Sequence, residues 1–247
     1  MAYVQRFSDR VQDYTRYRPS YPHAMLDHLA QYGLHPGAVV MDAGSGTGIL
    51  SELLLDRGAT VYAVEPNAPM REESVRRLGT RSGFHAVPAT AEETGLPESS
   101  IDLITAAQAF HWFDVTAVRS EWTRVLRPGG WVALMWNERQ DTSEFALGYR
   151  ALAHAFVEQS GRATPRLVDP VAQLTSFFDH SKFEFANHQD LDLDGLKGRA
   201  LSSSYWPRTG AAFEESMAKL EELFDSHARD GLVRFDYVTE LYLGQLN

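Results

Sequence analysis

Residues 39–48 read Val-Val-Met-Asp-Ala-Gly-Ser-Gly-Thr-Gly, and the fold expected for this chain follows from them. An apolar run leads into an aspartate, and three glycines then alternate with hydroxylated residues. An amphipathic segment follows from Ile49 to Arg57. This order is typical of a buried parallel strand, a tight turn and the start of a helix. Such a turn lets a nucleotide-like ligand approach the main chain, because glycine has no side chain to block it.

A second strand is predicted about twenty residues further along the chain. Residues 61–64 form a short apolar run that ends on Glu65. A carboxylate at this place suits a bidentate grip on the two ribose hydroxyls of an adenosine. The chain is therefore expected to bind an adenosyl cofactor.

The spacing of the glycines distinguishes between two such cofactors. A dinucleotide fingerprint is Gly-x-Gly-x-x-Gly, whereas this turn has Gly44-x-Gly46-x-Gly48 and Ile49 in place of the third glycine. Asp42 would repel a pyrophosphate, but it would suit a sulfonium or an amino group. No Lys-Ser or Lys-Thr follows the turn, which excludes a P-loop. The spacing favours S-adenosylmethionine, and an NAD-dependent oxidoreductase is the alternative.

The composition argues against several other classes of protein. Hydrophobic residues make up 44% of the 247, which is typical of a folded chain with a substantial core. The net charge is −10 and no lysine- or arginine-rich block occurs, so neither nucleic acid nor an anionic membrane is an expected partner. Cysteine is absent and the nine histidines are scattered, so we expect no metal site. We expect a cytoplasmic location, because the sequence has no signal peptide or long apolar span.

Predicted strands and helices alternate along the chain up to residue 137. This alternation implies right-handed crossovers and a doubly wound α/β fold with a seven-stranded, mainly parallel sheet. The last predicted strand alternates apolar and polar residues, which suits an edge or antiparallel strand. The predicted strands are 38–42, 60–65, 84–88, 101–107, 131–136, 182–191 and 232–243, and the predicted helices are 21–32, 48–57, 69–78, 115–126, 143–159, 170–178, 194–204 and 211–228.

We expect one domain with three parts. Residues 1–35 would form a helical N-terminal cover, residues 36–137 the cofactor-binding core, and residues 138–247 an acceptor-side region with a helical insertion. No internal repeat, low-complexity segment or flexible linker divides the sequence.

Five motifs occur in the order and spacing of one known family. They are residues 40–48, residues 64–70, Ala91-Glu92 with Leu96-Pro97, residues 101–103 and residues 125–130. On these motifs, residues 36–137 resemble the class I S-adenosylmethionine-dependent methyltransferases, type 11 subgroup. Residues 14–22 and 107–113 resemble a small-molecule branch that includes trans-aconitate methyltransferase-like proteins.

The resemblance implies a set of cofactor contacts. The main chain of residues 44–48 would pass under the methionine part and the ribose, and Glu65 would accept both ribose hydroxyls. Pro66 and Met70 would flank the adenine, while residues 91–92 would address its edge.

Three more residues would complete the cofactor site. Gln108 follows the fourth strand, at the edge where ligands of open α/β sheets bind. Tyr14 and Arg18 would close over the cofactor, and Arg18 would pair with its carboxylate. The full set of expected cofactor-binding residues is Tyr14, Arg18, Asp42, Gly44, Ser45, Gly46, Gly48, Glu65, Pro66, Met70, Ala91, Glu92 and Gln108.

Ordinary structural roles are the alternatives for some of these residues. Asp42 could cap the following helix or turn, Met70 could be core packing, and Arg18 could form a surface ion pair. The aromatic run at residues 110–113 could likewise belong to the core.

Methyl transfer needs an acceptor aligned with an already activated methyl group and shielded from water. A carboxylate acceptor needs no base, whereas a hydroxyl or ammonium acceptor does. His111 titrates in the right range, so it is the candidate catalytic base; otherwise it orients the acceptor or bonds within the fold. The candidate acceptor-binding residues are Trp112, Trp136, Asn137, Tyr205, Trp206 and Arg208.

The sequence therefore predicts methyl transfer from S-adenosylmethionine to a small-molecule acceptor, by O- or N-methylation and with a carboxylate as one acceptor type. The alternatives are an NAD-dependent oxidoreductase and a non-catalytic S-adenosylmethionine-binding protein. The identity of the acceptor, the methylated atom and the oligomeric state stay open at this point.

Overall fold

A computed structural model describes residues 11–159, 174, 177–203 and 206–246 of the chain. Its strands form one seven-stranded sheet in the order β3-β2-β1-β4-β5-β7-β6. Strands β1 to β5 pair parallel, and β7 is antiparallel to both of its neighbours. The strands are β1 (Val39–Ala43), β2 (Thr60–Val64), β3 (Phe84–Val87), β4 (Ile101–Ala107), β5 (Leu126–Gln140), β6 (His180–Leu191) and β7 (Val233–Gly244).

Two helices precede β1, one helix follows each of β1, β2 and β4, and the remaining helices lie in the C-terminal part of the chain. They are α1 (Val11–Tyr17), α2 (His23–Leu29), α3 (Ile49–Asp56), α4 (Ala68–Leu78), α5 (Val115–Val125), α6 (Glu144–Gln159), α7 (Leu193–Leu201) and α8 (Ala211–His227), with a 3-10 turn at Phe110–Trp112. The predicted seven-stranded, mainly parallel α/β fold is confirmed. The predicted helix 170–178 lies largely outside the described residues.

The first strand lies in the interior of the sheet, which agrees with its apolar sequence. Val40, Met41 and Ala43 are fully buried, and β1 pairs with β2 on one side and β4 on the other. The chain runs from β1 to β2 on one side and from β4 to β5 on the other side. A crevice therefore opens between the carboxyl ends of β1 and β4. Open α/β sheets bind their ligands at such a switch point.

Strand β5 is longer than predicted at both ends, because main-chain pairing continues where the apolar pattern stops. It was expected at residues 131–136, but it runs from Leu126 to Gln140. Residues 137–140 are polar, yet each pairs with β7, from Thr239 to Asp236. Strand β4 ends opposite Met135, so β5, β7 and β6 project beyond the carboxyl edge. We call this projection, residues 137–140, 185–191 and 233–239, the wall.

The C-terminal helices pack on the wall and form a cap. Tyr149 of α6 is fully buried against Phe235 of β7, with ring centroids 4.8 Å apart. Helix α1 touches the same cap, since Tyr17 lies so close to Gly198 of α7 that a side chain there would clash. The N-terminal cover and the C-terminal cap therefore meet above the carboxyl edge. Among the described helices, each is too short or too polar to cross a lipid bilayer.

Candidate functional site

The glycine-rich turn between β1 and α3 forms the base of the site. Gly44, Gly46 and Gly48 have φ angles of 67°, 58° and 83°, in the left-handed region that glycine adopts without strain. A side chain at Gly44 would lie 2.7 Å from Ala109, and one at Gly48 would lie 2.8 Å from Leu78. At Gly46 no atom lies within 4 Å of the corresponding position. Packing thus explains Gly44 and Gly48, whereas Gly46 faces open space at the position expected for a ligand.

This open space is a small cleft. Ser45 lies in its floor, and the Ser45 hydroxyl oxygen is buried without a hydrogen-bond partner. A buried hydroxyl normally has a partner, so a polar ligand group fits here. The cleft is lined by Tyr14, Tyr21, Asp42, Gly44, Ser45, Gly46, Ile49, Leu50 and Ala107.

The Glu65 carboxylate lies at the end of β2, next to the turn. One of its oxygens accepts from the Gly46 N–H at 2.9 Å, and the other accepts from the Asn67 N–H at 2.8 Å. Each carboxylate oxygen keeps a lone pair for a further donor. Burial raises the pKa of Glu65, and these two hydrogen bonds oppose that rise. The side chain is therefore held in one orientation and can accept two hydroxyl groups.

The Asp42 carboxylate lies at the end of β1, buried beneath the turn. It accepts hydrogen bonds from the hydroxyls of Ser51 at 2.6 Å and Thr105 at 3.0 Å. Burial raises the pKa of Asp42 from 3.8 to about 6, which those hydrogen bonds and nearby Glu65 only modify. Asp42 therefore connects the end of β1 with Ser51, in the first turn of α3, and with Thr105 of β4. A cationic group in the cleft would favour its ionised form.

Residues of α4 and of the loop after β3 lie on the other side of Glu65. Met70 is buried, and its N–H donates to the Asn67 side chain at 3.0 Å, which begins α4. The Ala91 carbonyl accepts from the Trp122 indole at 3.1 Å. The Glu92 carboxylate accepts from the Asp114 N–H at 3.0 Å, so this side chain helps to position the start of α5.

Gln108 has a φ of 56°, which is unusual for a residue other than glycine. Its N–H donates to the Met135 carbonyl at 2.9 Å, and its side-chain amide donates to the Asn137 carbonyl at 3.3 Å. Strained backbone of this kind persists where surrounding contacts hold it, and it clusters at functional sites. Gln108 thereby connects Ala107, which lines the cleft, with Asn137, the first residue of the wall.

His111 is half-buried beside the aromatic residues that follow β4. The Trp136 indole N–H points at His111 Nδ1 at 3.4 Å, and the Trp112 ring lies 4.7 Å away. Because Nδ1 accepts this hydrogen bond, the neutral imidazole carries its proton on Nε2. Trp136 is buried against Tyr242, with ring centroids 5.7 Å apart.

The N-terminal cover closes one side of the cleft. Tyr14 and Tyr21 line it, and the Arg18 guanidinium lies 4.9 Å from the centre of the Tyr14 ring. Arg18 also donates to the Ser202 carbonyl at the end of α7, at 2.9 Å. This Arg18 contact joins the cover to the cap, so the guanidinium is not simply part of a surface ion pair.

The predicted acceptor residues after α7 occupy different places. Trp206 is only 1% exposed, because it stacks with Tyr149 and donates to the Ser216 hydroxyl at 3.1 Å; it belongs to the core of the cap. Arg208 pairs with Asp13 of α1 at 3.0 Å. Tyr205 lies outside the described residues.

Asn137 is joined to the wall and to the cover. Its side-chain oxygen accepts from Thr239 at 2.5 Å and from Asn187 at 3.2 Å, while its amide donates to the Ser20 carbonyl at 3.2 Å. A second donor to Ser20 is Asn187, at 2.8 Å.

Sequence reasoning missed several residues of the site. Tyr21 lines the cleft, and Ser51 and Thr105 hold Asp42. Tyr21 lies in the segment that resembled the small-molecule branch, which was a usable signal. The two hydroxyls gave none, because serine or threonine on a buried element usually bonds to nearby backbone.

Known proteins with similar sequences are named as methyltransferases. A family model described as a methyltransferase domain matches residues 41–134. The chain is 41% identical to uncharacterised methyltransferases of Mycobacterium bovis and Mycobacterium tuberculosis over 137 residues, which are 55% of this chain and 53% of each relative. It thus spans about half the length of these curated relatives.

The fold is shared with solved structures over most of the chain. One from Anaeromyxobacter dehalogenans, named as a type II methyltransferase, is 25% identical with a TM-score of 0.74, and the match covers 93% of this chain and 98% of that one. Another, from Anabaena variabilis and named as a methyltransferase from an antibiotic biosynthesis pathway, is 20% identical with a TM-score of 0.64 over 94% and 100%. The second likeness shows the fold alone. Residues 41–134 of this chain therefore match a methyltransferase domain, the family that its motifs resemble.

Proposed function

We propose that the chain binds S-adenosylmethionine in the cleft above the glycine-rich turn and transfers its methyl group to a small-molecule acceptor. The observation that carries this proposal is the Glu65 carboxylate, held by the Gly46 and Asn67 N–H groups beside a turn that faces open space. Two vicinal hydroxyls of a ribose match the lone pairs that remain. One domain would bind both ligands, with the cofactor at residues 36–137 and the acceptor towards the wall.

The donor set of the cleft fits this cofactor. Glu65 would hold the ribose, and the Gly46 main chain would lie beneath it. The Ser45 hydroxyl, buried without a partner, would bond the polar end of the methionine part. Ionised Asp42 would attract the positively charged amino group from below. Pro66 and Met70 would flank the adenine, and residues 91–92 would contact its edge.

When bound, S-adenosylmethionine supplies a sulfonium-activated methyl group, so the protein's own task is to orient the acceptor and exclude water. The cover and the cap would exclude water, since Tyr14 and Tyr21 line the cleft on that side. Because His111 Nδ1 accepts from Trp136, the Nε2–H group would donate a hydrogen bond to the acceptor. His111 would then orient the acceptor, and an acceptor that must lose a proton would need His111 in its other tautomer.

The alternative of an NAD-dependent oxidoreductase is less well supported. Ile49 lines the cleft at the position where a dinucleotide turn has its third glycine. The buried Asp42 carboxylate would in addition face a pyrophosphate without a cation beside it. A methyltransferase needs neither a glycine at position 49 nor a cation beside Asp42.

Calorimetry tests the choice of cofactor. We expect S-adenosylhomocysteine to bind and NAD to bind at least about a hundredfold more weakly, which corresponds to about 3 kcal/mol. Tighter binding of NAD would contradict the proposal. Incubation with methyl-labelled S-adenosylmethionine and a metabolite extract would then show whether label enters a small molecule. Binding of the cofactor without any labelled product would favour the non-catalytic alternative.

A further inference from the structure

One face of the wall carries polar side chains that point the same way. In the strand register Asn137 lies opposite Thr239, and Arg139 lies opposite Tyr237. Opposite residues of an antiparallel pair share a face, and so do residues two apart along a strand. Gln189 of β6, two residues beyond the position opposite Tyr237, belongs to this face as well. The face begins at Asn137, whose carbonyl bonds Gln108 beside the cleft.

Two polar atoms on this face are buried without a hydrogen-bond partner. Tyr237 is only 3% exposed, and its hydroxyl oxygen makes no hydrogen bond; nor does the side-chain oxygen of Gln189. The other end of Gln189 is fixed, because its amide donates to the Tyr17 carbonyl at 3.0 Å. Leaving a buried polar group unpaired costs about 1–3 kcal/mol, so two on one face indicate a place where a polar ligand can bind.

Arg139, opposite Tyr237 in the strand register, brings a guanidinium group to the same face. Arg139 donates through Nε to Asp141 at 2.8 Å, and its charged end lies 5.1 Å from the centre of the Tyr149 ring and 5.6 Å from that of Phe235. In the part of the chain that the structure describes, this bond to Asp141 is the one hydrogen bond that Arg139 makes. Its Nη donors therefore stay available in the planar fork that binds oxyanions.

The position of Arg139 suits an acceptor in front of the methyl donor. Arg139 lies two residues beyond Asn137 on β5, which is roughly 7 Å along a strand. Asn137 in turn bonds Gln108, at the end of the strand that contributes Ala107 to the cleft. A small molecule could therefore have its reactive atom near Gln108 and an anionic group at Arg139.

We propose that Arg139 and Tyr237 bind an oxyanion, a carboxylate or a phosphate, of the methyl acceptor, and that the Gln189 oxygen accepts from a hydroxyl or amino group of the same molecule. The Tyr237 hydroxyl donates to the oxyanion beside the Arg139 fork. This assignment names the substrate class for the proposed methyltransferase and rests on that function.

The test measures binding of small anions by calorimetry, with the protein saturated with S-adenosylhomocysteine. The probes are succinate, citrate and benzoate in one arm and glycerol 3-phosphate and phosphoserine in the other, with succinamide and benzamide as neutral controls. We expect at least one anion to bind, and a carboxylate to bind at least about tenfold more tightly than its amide. The arm that binds identifies the oxyanion. If no anion of either arm binds, or if an amide binds as tightly as its acid, the proposal is overturned.

Three variants locate the site. For the anion that binds, Arg139→Gln should weaken binding at least about tenfold. Arg150→Gln is the matched control, because Arg150 also contacts Asp141 but its side chain is 50% exposed; it should stay within about twofold. Tyr237→Phe should weaken binding about three- to tenfold and yet raise the melting temperature of the ligand-free protein, since it removes an unpaired buried hydroxyl.

The opposite signs expected for Tyr237→Phe separate a ligand contact from a structural one. A lower melting temperature would mean that the hydroxyl has a partner within the fold, and unchanged anion binding would mean that it has no part in recognition. Either result overturns the assignment. Binding of S-adenosylhomocysteine is measured on each variant as well. If the wild type binds no S-adenosylhomocysteine, the proposed function itself fails, whereas cofactor binding without anion binding refutes only this inference.

Discussion

Asp42→Asn should make the protein more stable and its cofactor site weaker. The Asp42 carboxyl is buried, and its pKa is raised from 3.8 to about 6. The folded state therefore holds this proton more tightly than the unfolded chain does. Stability from this group is present below pH 4 and is lost as the pH rises through about 6. At pH 8 the ionised carboxylate costs about 3 kcal/mol relative to an unperturbed one.

The asparagine removes that cost but disturbs one hydrogen bond. Both carboxylate oxygens accept from hydroxyls, those of Ser51 and Thr105. One hydroxyl must turn to accept from the new amide, which costs about 1 kcal/mol. We expect a net gain of about 2 kcal/mol in the free energy of unfolding at pH 8, and no gain at pH 4.

Urea denaturation between pH 4 and pH 8 measures this difference. Asp190→Asn is a useful control, because Arg234 lowers the pKa of Asp190 at an exposed ion pair, and its change should stay below about 1 kcal/mol with the opposite sign. Calorimetry should show S-adenosylhomocysteine binding to Asp42→Asn at least about tenfold more weakly, and to the wild type more tightly above pH 6 than below. Equal stability of variant and wild type at pH 8 would refute the reasoning.

Three further predictions concern neighbouring residues. Glu65→Gln should lower S-adenosylhomocysteine affinity at least about tenfold in calorimetry with the fold intact by circular dichroism, and unchanged affinity would assign the ribose to another residue. His111→Ala should raise the KM for the acceptor and change the single-turnover rate less than about tenfold, whereas a loss of 10²–10⁴ would identify a base. Gln108→Gly relieves the positive φ, so the melting temperature should not fall although methyl transfer slows; a clear fall would show that the amide contact to Asn137 outweighs the strain.

Much of the fold could be predicted from the sequence, because local pattern and packing agree there. Strand β4 was predicted with the observed bounds, since its run of apolar residues is buried between two neighbours. The alternation of apolar and polar residues in β7 predicted an edge or antiparallel strand, and β7 is antiparallel to both of its neighbours. The extension of β5 to Gln140 could not be predicted. It depends on main-chain pairing with a strand nearly a hundred residues later in the chain. The hydrophobicity of the side chains gives no information about that pairing.

In the candidate site as well, the residues of local turns could be predicted, whereas those brought together by distant pairing could not. Glu65 and the three glycines lie where the motifs put them, since a turn between adjacent elements is a local feature. Trp206 was expected to contact the acceptor because residues 204–208 would form the roof of its pocket, yet contacts with α6 and α8 bury it. Arg139 and Tyr237 carried no signal of their own, because their proximity arises only when β5 and β7 pair.

One main-chain atom of the cover accepts two hydrogen bonds from the wall. The Ser20 carbonyl accepts from both Asn137 of β5 and Asn187 of β6. Both hydrogen bonds share one acceptor, so displacing that segment of chain breaks them together, and this part of the cover is released in a single step. Since the acceptor is a backbone oxygen, replacing the Ser20 side chain leaves the fastening in place. Sequence change can loosen the cover at this point only through the two asparagines, which makes them the positions where selection could adjust how readily the cleft opens.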